Sequence, residues 1–197
     1  VLAVSHQSLL RHNELLNDGF QMENAAALTA LYQKYGVLCN LAGHLHIQHI
    51  TSRQSVTEIL TSSLAVAPNQ YGVLTVTENG ADYHTVPVDV SAWAEAHGRR
   101  EDALLHFETY AADFFYGTAY RQAVTELTDV PDAEAMADYF AEVNAAYFAG
   151  RMDCASQDAD LLQKWRKQDF FLAAYLQSIT ADFETDFTQY HFSGGTP

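Results

Sequence analysis

Basic residues are scarce in this chain: ten Lys and Arg stand against twenty-five Asp and Glu, for a formal net charge of −15. Such a surface repels phosphate backbones and anionic lipid unless a cation or a local basic patch intervenes. No basic stripe interleaved with aromatics provides one, so nucleic-acid binding is disfavoured. Cysteine is nearly absent: Cys39 and Cys154 could form at most one pair, which is no disulfide framework and says little about compartment. No apolar run reaches the roughly 18 residues of a membrane span. Internal repeats and low-complexity tracts are missing as well. The pattern of a signal peptide is absent too, and residues 1–4 already read as a buried strand with no run-in. The sequence therefore reads as part of something longer, with any targeting signal upstream of Val1.

What is present is globular. The chain is 48% hydrophobic with eleven Tyr and eleven Phe, enough at 197 residues to bury a core without staples. Two compositionally different parts meet near residue 88. In the first, residues 1–4 form an apolar run. Residues 25–35 then carry Leu28, Leu31, Tyr32 and Tyr35 at helical spacing, with Gly36 as a left-handed cap. A second apolar run at 37–41 completes the strand–helix–strand order of a parallel crossover. Residues 56–64, 71–77 and 83–88 read as strands, the last two joined by an Asn79-Gly80 turn, giving an antiparallel flank. From Asp89 the period becomes helical. Expected core stripes run through Leu104, Phe107, Ala111, Phe114 and Phe115, through Met136, Tyr139, Phe140, Val143 and Tyr147, and through Leu172, Leu176, Ile179 and Phe183. Punctuated by Pro131 and Gly150, these predict three or four antiparallel helices. The last five residues read as a frayed end. The expected architecture is thus α/β with a mixed sheet over 1–88, followed by a small helical bundle over 89–197.

Histidine is concentrated where chemistry would sit. Gly43-His44-Leu45-His46-Ile47-Gln48-His49 follows the second apolar run directly. In an extended backbone, residues two apart point to the same side, so His44 and His46 can approach one metal or two neighbouring ones. Gly43 removes a side chain where the backbone is expected to turn tightly. His6 follows the first run as His44 follows the second, so in a parallel crossover both lie at the carboxyl edge of the sheet, where open α/β folds place ligands. Neutral imidazole suits Zn, Fe, Mn or Co, and a bound dication would offset the acidic surface for a phosphate substrate. His12 and His49 are near enough to contact substrate or brace a ligand, with a solvated loop position as the default reading of each. His84, His97, His106 and His191 read as structural.

With Ser5-His6-Gln7 after one strand and Gly43-His44-Leu45-His46 after the next, residues 1–88 resemble the C-terminal portion of a calcineurin-like metallophosphoesterase catalytic domain. The stretch from Glu58 to Leu64, with Pro68-Asn69-Gln70-Tyr71-Gly72, resembles the following strands of bacterial cyclic-nucleotide phosphodiesterases. Some of those carry a helical C-terminal domain, which residues 89–197 resemble. The resemblance implies a partial metallophosphoesterase-type α/β sandwich in which His6 and His44 ligate one metal of a binuclear centre (Mn, Fe or Zn) and His46 the other. The implied reaction is phosphoester hydrolysis on a small molecule, cyclic nucleotides included. The family's Asp-x-His, Gly-Asp-x-x-Asp and Gly-Asn-His-Glu motifs, which bring the bridging carboxylate and the remaining ligands, belong before His6. Asp82-Tyr83-His84 follows the Gly-His-x-His and reads as coincidence. The chain on its own is therefore expected to hold at most a partial site and to be inactive. The alternative is a noncatalytic interaction module with a structural or vestigial histidine site.

Overall fold

A computed structural model of the chain describes residues 1–78 and 80–193. Strands β1 (Leu2–Val4), β2 (Cys39–Ala42) and β4 (Val56–Leu60) run parallel, with β3 (His49–Arg53) antiparallel to β4, in the order β1-β2-β4-β3. Helix α1 (Ala25–Lys34) makes the crossover between β1 and β2, and Gly36 beyond it has φ +61°. Strands β5 (Gln70–Thr77), β6 (Gly80–Pro87) and β7 (Gln189–Ser193) form a separate antiparallel sheet in that order. The pleat of β2 and β4 sorts their side chains into two faces. Cys39, Leu41 and Ile59 pack on Ala81, Tyr83 and Phe192 of the second sheet, while Val56 packs with Leu9, Leu10 and Ala25 beneath α1. The polar pair Asn40 and Glu58, in register with each other, shares that α1 face. Helix, mixed sheet and antiparallel sheet thus form three layers, which is the α/β architecture with a helical C-terminal region that the sequence predicts.

The helical part comprises α2 (Val90–Ala96), α3 (Asp102–Leu105), α4 (Phe107–Glu126), α5 (Ala133–Ala149), α6 (Ala159–Trp165) and α7 (Phe171–Ile179). Helix α5 is its axis, and Met136, Tyr139, Phe140, Val143 and Tyr147 on it are buried as the stripe predicts. So are Leu172, Leu176 and Ile179 on α7. Trp165 is fully buried and donates its indole N–H to the Met136 carbonyl at 2.9 Å. The same core takes in Ala42, Leu45, Ile47 and Leu60. The bundle therefore packs on the carboxyl end of β2 and β4, beside the histidines.

Several expectations are corrected. Residues 49–53 form β3, whose β-branched Ile50 and Thr51 pair with Ile59 and Glu58. The region after residue 88 is not helical throughout, because β7 returns to pair with β6, and Phe192 alternates into the core between the sheets. The first half of α4 leaves the core: Tyr110 and Phe114 are exposed. Only Ala119 and Ala123 of α4 are buried, their small side chains sitting where the helix approaches α5. Phe107, Phe115 and Tyr116 instead line a cavity of about 610 Å³ with Pro68, Pro87 and Val88. The expected strand over 56–64 ends at Leu60. Of the expected hairpin turn, Asn79 lies outside the described residues, and Thr77 pairs with Gly80 across it. The expected frayed end begins at Ser193, which instead closes β7 opposite Gly80, and residues 194–197 lie likewise outside the described residues.

Candidate functional site

His6 and His44 follow β1 and β2, and the main chain draws them together. The Ser5 amide donates to the Leu41 carbonyl at 3.0 Å, extending the parallel ladder, and the His6 carbonyl then accepts the His44 amide at 3.0 Å and the Gly43 amide at 3.3 Å. The side chains follow: His6 Nε2 lies 2.8 Å from His44 Nδ1, with ring centroids 4.5 Å apart, and Phe20 packs beside His44. His6 is exposed and His44 half-buried. Both line a cavity of about 610 Å³ with Gln7, Met22, Glu23 and Asn24, within the size range of small-molecule sites.

His46 does not complete a set of three with them. Among the described residues, no group of three or more His, Cys, Asp or Glu is arranged to hold a metal ion. His46 is exposed and adopts φ +59°, its amide bonded to the Gly43 carbonyl at 2.9 Å. The tight turn expected at Gly43 is therefore carried by His46. A Cβ on Gly43 would meet only the Thr61 carbonyl at 3.6 Å, an ordinary contact. The two remaining nitrogens are of a kind that can ligate a divalent ion, and here they stand at hydrogen-bonding distance from each other.

His12 and His49, expected in solvent, are buried instead. His12 Nδ1 lies 2.9 Å from His49 Nδ1, and His12 Nε2 lies 3.1 Å from Glu58 Oε2. At the far end His49 Nε2 stands 3.3 Å from Asp182 Oδ2 without the alignment of a hydrogen bond, and the His49 ring packs on Phe187. The loop reading failed because His49 opens β3 and the segment carrying His12 folds over the α1 face of the sheet. Burial pulls the pKa of His12 below its usual value, helped by the neighbouring His49 and opposed by the hydrogen bond to Glu58. His84, His97, His106 and His191 all lie at exposed positions. His97 sits over Trp93, and His191 pairs with Asp82 at 2.7 Å, which engages the aspartate of the coincidental Asp-x-His motif elsewhere.

The residue that sequence reasoning missed is Glu58. It is fully buried and accepts from four donors: the Leu9 amide (2.7 Å), the Leu10 amide (2.5 Å), Asn40 Nδ2 (2.6 Å) and His12 Nε2. A carboxylate in the middle of a parallel strand is the signal that could have found it, since such strands are ordinarily apolar throughout. Asn13, one residue beyond His12, donates to Ser178 Oγ at 3.0 Å and Tyr147 Oη at 3.3 Å. The loop after β1 is thus fastened to the sheet on one side and to α5 and α7 on the other.

Residues 89–186 match the family model of the C-terminal domain of cyclic nucleotide phosphodiesterase. That span runs from the N-cap of α2 to the segment before β7, and it includes Tyr147, Ser178 and Asp182. The C-terminal part of the chain is therefore similar to that phosphodiesterase domain. No curated protein matches the chain.

Proposed function

We propose that this chain carries the histidine part of a metal-dependent phosphodiesterase centre acting on small phosphodiesters, cyclic nucleotides among them. His6 and His44 would hold one ion, and His46, as the likeness to metallophosphoesterases implies, would serve a second. The observation that supports the reading most is the 2.8 Å approach of His6 to His44 at the carboxyl ends of parallel strands, in a chain whose helical part matches a phosphodiesterase domain. Two-metal centres activate water and stabilise the leaving oxygen of an in-line displacement. The chain's own residues bind and orient. Gln7, Glu23 and Asn24 bring polar groups to the rim of the cavity on which the imidazoles open.

Two imidazoles do not make a complete hydrolytic site, so the 197-residue chain with Mn²⁺ should hydrolyse an aryl phosphodiester at background only. The reading is tested on the full-length gene product. Mn²⁺-dependent hydrolysis of 3′,5′-cyclic AMP or an aryl phosphodiester, abolished in His44→Ala, supports it. A folded full-length protein that hydrolyses neither substrate overturns it.

A further inference from the structure

The face of the sheet opposite the second sheet carries two polar residues where apolar ones would be ordinary, and both lead to His6. Glu58 gathers the loop after β1 through the Leu9 and Leu10 amides and through His12. Asn40, its neighbour in register on β2, uses the same amino group to donate to Glu58 Oε1 at 2.6 Å and to Ser5 Oγ at 2.8 Å. Ser5 Oγ in turn donates to the Gln7 carbonyl at 2.8 Å. His6 is thus bracketed on both sides by one hydroxyl, and that hydroxyl is held by a relay ending on a fully buried carboxylate. The main chain sets where the loop runs, through the His6 carbonyl on the His44 and Gly43 amides, the Ser8 amide on the Phe20 carbonyl and the Met22 amide on the Ser8 carbonyl, and the Ser5 hydroxyl adds a side-chain restraint across His6.

We infer that Glu58, Asn40 and Ser5 form a positioning relay that holds His6 against His44. The inference rests on the reading of that pair as the metal-binding histidines, but the relay itself acts on ring geometry. A buried carboxylate with four donors is costly to place and costly to strip of its partners, because withdrawing them leaves a polar group uncompensated in the core. Glu58→Gln offers a single acceptor oxygen to donors that now occupy two, and its amino group meets N–H groups head on. The loop must shift, and Ser5 and His6 with it. Ser5 is half-buried, so Ser5→Ala removes the last link without opening the core.

Two readouts on the intact chain test the relay: the nuclear Overhauser effect between the His6 and His44 ring protons, and the Co²⁺ dissociation constant. Wild type should show the Overhauser effect and bind Co²⁺. In Ser5→Ala and Glu58→Gln, with far-UV circular dichroism of the folded chain retained, the effect should vanish and Co²⁺ binding should weaken at least tenfold. Ser5→Thr, which keeps the hydroxyl, should restore both. An undiminished Overhauser effect in a folded Ser5→Ala overturns the relay, whatever Glu58→Gln does. If the effect vanishes in Ser5→Ala and returns in Ser5→Thr, while even the wild type binds no Co²⁺, the relay is sustained and the metal reading removed.

Discussion

His12 and His49 face each other Nδ1 to Nδ1 at 2.9 Å, with side chains almost wholly out of solvent. Because His12 Nε2 points at the Glu58 carboxylate, the neutral ring carries its proton there and offers Nδ1 as a lone pair, which His49 Nδ1–H fills. The pair lies between two parts of the molecule. Glu58 belongs to the mixed sheet, and Asp182, 3.3 Å beyond His49, lies in the span matched to the phosphodiesterase domain.

This arrangement makes stability depend on pH. Burial holds the folded-state pKa of His12 below that of the unfolded chain, so between the two values the unfolded state binds a proton that the native state does not. Stability is therefore fully present above about pH 6.5 and is lost as pH falls below it, at up to about 1.4 kcal/mol per pH unit for the one proton. Urea unfolding from pH 7.5 to 5.5 should show this fall, and His12→Gln should flatten it. A wild-type profile that is flat or rises toward pH 5.5 contradicts the assignment.

Gly150 closes α5 with φ +74°, directly under Gln48. A Cβ there would stand 2.5 Å from Gln48 Cγ and 2.9 Å from its carbonyl oxygen, and Gln48 cannot yield easily because it bonds the Phe187 carbonyl and Tyr83. Gly150→Ala should cost about 2 kcal/mol or more, combining the left-handed backbone with the clash. Chemical denaturation measures it, and a loss under about 0.5 kcal/mol, the range of an ordinary surface change, would contradict the packing.

Cys39 is fully buried in β2, and burial pushes its thiol pKa up to about 11, whereas Cys154 is exposed. Iodoacetamide at pH 8 should add one label to the native chain, at Cys154, and two in urea, read by mass spectrometry. Rapid native labelling of Cys39 would contradict the placement of β2.

The elements that were legible in the sequence owe their signal to local periodicity and local turns: α1 with Gly36, α5 with Gly150, and the strand ends bearing His6 and His44. What was hidden depends on partners far away in the chain. His12 and His49 read as loop residues because their burial is created by the loop folding over the sheet and by Phe187 and Asp182 arriving from beyond α7. Glu58 looked like one polar residue in a β-branched stretch, since its four donors come from positions 9, 10, 12 and 40. β7 was obscured for the same reason: Tyr190 and Phe192 gain meaning only beside β6. The aromatics of α4 show the reverse limit: of the helical stripe, Phe107 and Phe115 line a cavity and Phe114 faces solvent.

On the proposed function, His6 and His44 form one cation-binding pair. Native mass spectrometry of the chain after loading with Mn²⁺ and then Zn²⁺, compared with the His6→Ala, His44→Ala double variant, tests it most directly. Wild type should carry a metal adduct that disappears in the double variant. An adduct of equal occupancy in both, or none on the folded wild type, would contradict it.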